Sequence, residues 1–90
     1  MNYSVKQIQA EMFSINNQLN SKKEAVAKNS EMMMESLTAM LNPDIYVDQL
    51  EKLNRWTADS QRINNELITD CIKLQCQLDI LHEIFTVVNK

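Results

Sequence analysis

The chain has 90 residues, 44% of them hydrophobic and 23% charged, so it forms one domain at most and has the balance of a folded chain rather than a disordered one. Its net charge of −3 and the lack of any basic stripe exclude the electrostatic footprint of a nucleic-acid binder. It contains no glycine and one proline, which leaves almost no chemistry for tight hairpins between strands and points to helix.

The first element opens at Ser4-Val5-Lys6-Gln7, a capping box in which the Ser4 hydroxyl and the Gln7 amide satisfy each other's backbone N–H groups. The start has neither a basic n-region nor an apolar h-region, so no cleaved signal is expected. Cytoplasmic synthesis follows, compatible with export without a cleaved signal. From Val5, apolar residues recur at steps of three and four: Ile8, Met12, Ile15, Leu19, Val26, Met33 and Met40. That is a heptad stripe, with Lys22, Asn29 and Ser36 as polar members. It predicts a helix over about 4–40. Met32-Met33-Met34 reads as one core residue with two flanking side chains.

Asn42-Pro43-Asp44 supplies a helix stop and a helix start in one step. Proline pushes Asn42 out of the α region, Asn42 suits an N-cap, Pro43 suits the first helical position, and Asp44 favours the positive end of the helix dipole. The predicted turn is therefore 41–43 and the second helix 43–88. Its stripe is Leu50, Leu53, Thr57, Ser60, Asn64, Leu67, Cys71, Leu74, Leu78, Leu81, Phe85 and Val88. The fold expected is all-α: a single extended, coiled-coil-like antiparallel two-helix hairpin over 1–90.

Folding at residue 42 brings Lys22 and Asn29 near the level of Thr57, Ser60 and Asn64. The polar breaks in the two stripes thus form one layer of the kind that fixes register. The second helix also carries more apolar surface than one partner covers. Its end, 80–88, is expected to project past the start of the first helix. Trp56, Ile63, Ile72, Leu78, Leu81, Ile84, Phe85 and Val88 are therefore the candidate interface. Trp56, the only tryptophan, suits an anchor equally with a cap over a thin core.

Catalytic and metal chemistry finds no support. Cys71 and Cys76 stand five apart on one helix with no CxxC. His82-Glu83 has Thr86 where a zinc helix needs a second histidine. Asp44, Asp48 and Glu51 suit a helix start, and a phosphate loop needs the glycine that is missing. No cofactor is implied, and no apolar run reaches the length of a membrane span.

The stretch "NPDIYVDQLEKLNRWTADSQRINNELI", running into "ILHEIF", resembles the C-terminal half of type III secretion needle subunits, through Asn42, Pro43, Leu50, Leu53, Trp56, Ile63, Ile84 and Phe85. The resemblance implies a helical hairpin whose matched residues pack hairpin and subunit contacts in a hollow filament, guarded beforehand by small helical chaperones. Three departures, a single proline, a heptad-bearing N-terminal half and the extra Thr86–Lys90, fit a hairpin chaperone or rod-like component of such a system better. Two functions are thus expected to compete. One is a non-enzymatic, self-assembling structural subunit of a bacterial secretion apparatus. The other is a small chaperone or adaptor that binds another helical protein through its C-terminal helix. The partner in either case is protein, in a homo-oligomer or a hetero-complex.

Overall fold

A computed structural model describes residues 4–89. They form two α-helices, α1 (Val5–Met40) and α2 (Val47–Val88), packed against each other along their lengths. The hairpin measures 66 × 16 × 14 Å, so it has one seam and no second layer.

The capping box holds α1 as the sequence predicts. Ser4 Oγ accepts from the Gln7 N–H at 3.2 Å, and Gln7 Oε1 accepts from the Ser4 N–H at 3.0 Å. At the far end the last turn tightens: the Leu41 and Asn42 N–H groups donate to Thr38 and Ala39 carbonyls three residues back, each at 3.2 Å.

Pro43 lies at the hairpin tip but not at a helix start. Asn42 Oδ1 accepts from the Asp44 N–H at 3.0 Å, and the Asn42 carbonyl accepts from the Ile45 N–H at 3.2 Å. That is a β-turn with proline at its second position, reinforced by an Asx turn. Tyr46 then follows in extended conformation at φ −73°, ψ 147°, and α2 begins at Val47. Tyr46 caps α2 without a side-chain hydrogen bond, and Asp48 in the first turn faces the positive end of the dipole. None of the described residues needs a positive φ, which is how the chain turns without glycine.

The seam follows the two stripes. Ile8, Leu19, Leu78 and Leu81 are buried, and Val5, Met12, Ile15, Val26, Met33, Met40, Leu53, Leu67, Cys71, Leu74 and Phe85 are half-buried. Leu50 and Val88, at opposite ends of the α2 stripe, stay exposed.

Candidate interaction surface

Cross-helix hydrogen bonds define the register. Ser36 Oγ and Thr57 Oγ1 lie 3.0 Å apart. Asn29 Nδ2 donates to the Ser60 carbonyl at 2.8 Å, and Asn64 Nδ2 donates to Ser30 Oγ at 3.3 Å. Lys22 Nζ stands 3.3 Å from Asp70 Oδ2. In an antiparallel pair, equal steps from Ser36 and Thr57 keep residues level. Asn29 is then level with Asn64, Lys22 with Cys71, Ile8 with Phe85 and Val5 with Val88.

This register alters two expectations. Lys22 does not join Thr57, Ser60 and Asn64; it stands about a heptad farther out, against Asp70. The end of α2 does not overhang, because Val88 comes level with Val5. The overhang lies at the turn. Met40 is level with Leu53, so Val47–Lys52 runs about 9 Å past the end of α1. The physical reason is the longer connection: with α2 starting at Val47 rather than Pro43, the helix is carried past its partner at the turn and not at the chain ends. Leu41, Tyr46 and Val47 are exposed there.

The eight candidate interface residues therefore fall in three places. Leu78 and Leu81 are each 8% exposed, covered within the hairpin, and half-buried Phe85 and exposed Val88 stand level with Ile8 and Val5. Trp56, Ile63 and Ile84 each stand one position before a seam residue (Thr57, Asn64 and Phe85), which puts them on one flank. Ile72 follows Cys71 and lies on the other flank, in a groove lined by Leu19, Lys23, Val26, Ile68 and Gln75.

The first flank has a contribution from α1 that the sequence reading passed over. Met32 precedes Met33 as Trp56 precedes Thr57, and such positions share one side of an antiparallel seam. Met32 is 52% exposed, Ile63 46% and Trp56 37%, with Ala25 and Ala39 one heptad either side of Met32. The signal was present as a second heptad row one step off the stripe. Phe13, 69% exposed, was missed similarly; it lines a depression with Met12, Asn16, Leu78 and His82.

The turn-proximal half of the hairpin is thus inverted. Ser36, Ser60 and Asn64 are buried between the helices, while Trp56, Ile63 and Met32 stand outside them. Asn64 Oδ1 is buried without a hydrogen-bond partner.

The polar surface has simple uses. Arg62 and Glu66 pair at 3.8 Å along the outer face of α2, and Gln75 donates to Asp79 Oδ1 at 3.0 Å. Cys71 is half-buried on the seam and Cys76 exposed, both as free thiols. Among the described residues, no three of His, Cys, Asp and Glu converge as metal ligands, and no helix is long and apolar enough to cross a membrane. No protein-family model matches the chain, and neither does a curated protein or a solved structure.

Proposed function

We propose that this chain is a non-enzymatic helical assembly module that packs against other helices through the flank carrying Met32, Trp56 and Ile63. The observation supporting this reading is the inversion around Asn29 and Asn64: polar side chains occupy the seam while the large apolar ones of the same level face outward. Apolar side chains on a flank beside the seam are what a helix contributes when it enters a bundle of more than two helices. The surface area points the same way. The chain exposes 7008 Å², whereas a compact chain of this mass exposes about 5,400 Å². The excess, about 1,600 Å², is roughly twice the area one partner contributes to a standard protein–protein interface.

A structural subunit of a secretion apparatus is the specific form of this reading that the needle resemblance suggests. A chaperone or adaptor for a helical partner is its alternative. Sedimentation of the purified chain over a concentration series tests the module. Association that Trp56→Ala with Ile63→Ser abolishes, at unchanged helix content, supports it. Growth into filaments favours the subunit, and a small closed oligomer that takes up a helical partner favours the adaptor. A chain that stays monomeric at high concentration and binds no helical peptide would sink the proposal.

A further inference from the structure

Heptad periodicity alone allows these helices more than one register. Sliding α2 by one heptad toward the chain ends keeps every stripe residue on the seam and the connection short. Met40 then comes level with Tyr46, and the two helices end opposite each other at the turn. This is the squarer closure, near the fold about residue 42 that the sequence alone suggests. Leu50 enters the seam at one end, while half-buried Phe85 and the already exposed Val88 pass beyond Val5 at the other.

The polar residues distinguish the two registers. In the observed one, Asn29 reaches the Ser60 carbonyl, Ser36 meets Thr57, Asn64 reaches Ser30 and Lys22 meets Asp70. In the slid one, Lys22 is level with Asn64 and a heptad from its present place beside Asp70. Ser36 faces Leu50, and Val26 faces Ser60. Asn29 and Asn64 come level with Thr57 and Lys22 there, but buried Ser36 loses the Thr57 hydroxyl and is left polar against an apolar side chain.

We propose that these cross-helix pairs are a register lock. They hold the hairpin one heptad away from that squarer closure, and so keep Phe85 level with Ile8 and Val88 level with Val5. The lock leaves the turn end overhanging, with Leu41, Tyr46 and Val47 exposed.

Spin labels read the register directly. Glu24→Cys and Glu83→Cys are exposed positions, labelled in a Cys71→Ala, Cys76→Ser background. The slid register lengthens their separation by about 10 Å, seven residues of helical rise. The parent should give one distance, unchanged when Asn42, Pro43 and Asp44 are all replaced by glycine. Lys22→Leu, Asn29→Leu and Ser36→Leu together should add a second, longer population. Where that triple variant does not fold, Lys22→Leu with Asn29→Leu serves. A folded variant that keeps the single parental distance overturns the proposal. So does a shift on replacing the turn alone, because the turn would then be setting the register.

Discussion

Asn29 and Asn64 occupy the same level of the seam, and each donates across it to a different acceptor: Asn29 to the Ser60 carbonyl at 2.8 Å, Asn64 to Ser30 Oγ at 3.3 Å. Asn64 is left with a buried unmatched atom, its Oδ1. The pair gives direction to the packing at the expense of stability.

Asn64→Leu should therefore stabilise the chain. It removes one hydrogen bond and one orphaned acceptor and adds apolar burial, for a net gain of about 1 kcal/mol. A higher urea midpoint with an unchanged slope is the expected result. A lower midpoint would mean that the Ser30 contact outweighs the orphaned oxygen.

Leu81 and Ile80 are neighbours in sequence but opposite in burial, 8% against 56% exposed. Leu81→Ala should cost about 2–4 kcal/mol through cavity formation, while Ile80→Ala stays within about 0.5 kcal/mol. Unfolding at low protein concentration, where association is absent, makes the comparison. Equal effects would place Leu81 at a contact between chains and not on the hairpin seam.

Protection of backbone amides should run opposite to the covalent tether. Val5–Leu19 packs an apolar stripe on Leu74–Val88, whereas Asn29–Ser36 meets Thr57–Asn64 through polar groups. Local opening follows buried apolar contact. Hydrogen exchange should thus be slowest near Ile8, Leu19, Leu78 and Leu81, far from the turn, and faster around 29–36 and 57–64. Slowest exchange beside the turn would contradict this account of the seam.

The fold was legible because its signals are periodic and local. Ser4 and Gln7 formed the expected box, and every stripe residue from Val5 to Met40 is buried or half-buried. Register was less legible. It depends on where the chain leaves the turn, and Tyr46 gives no sequence sign that it stays extended and delays α2 to Val47. A few residues of error there moved the overhang from Val88 to Val47. The outward flank was half legible: Trp56 and Ile63 stood out by size, but Met32 was masked by a run of three methionines in which one belongs to the seam.

Pro43 sits in a β-turn outside both helices, so its contribution comes from restricting the unfolded chain. Pro43→Ala should lower stability by about 0.4–1 kcal/mol without changing helix content. Circular dichroism at low temperature and a thermal melt separate the two quantities. A rise in helicity would show instead that proline is what stops α1 from continuing through the turn.

Trp56 reports on its own flank. At 37% exposure its indole is partly in water in the isolated hairpin, and burial against another helix removes that water. Its emission should move to shorter wavelength as the chain is concentrated from micromolar to millimolar, in step with the rise in sedimenting mass. Ile63→Ser, one heptad away on the same flank, should shift both curves to higher concentration, whereas Ile72→Ser on the opposite flank should leave the emission curve in place. Emission that stays constant while mass rises would assign association to the other flank or to the overhanging turn, and the flank of Met32, Trp56 and Ile63 would lose its role.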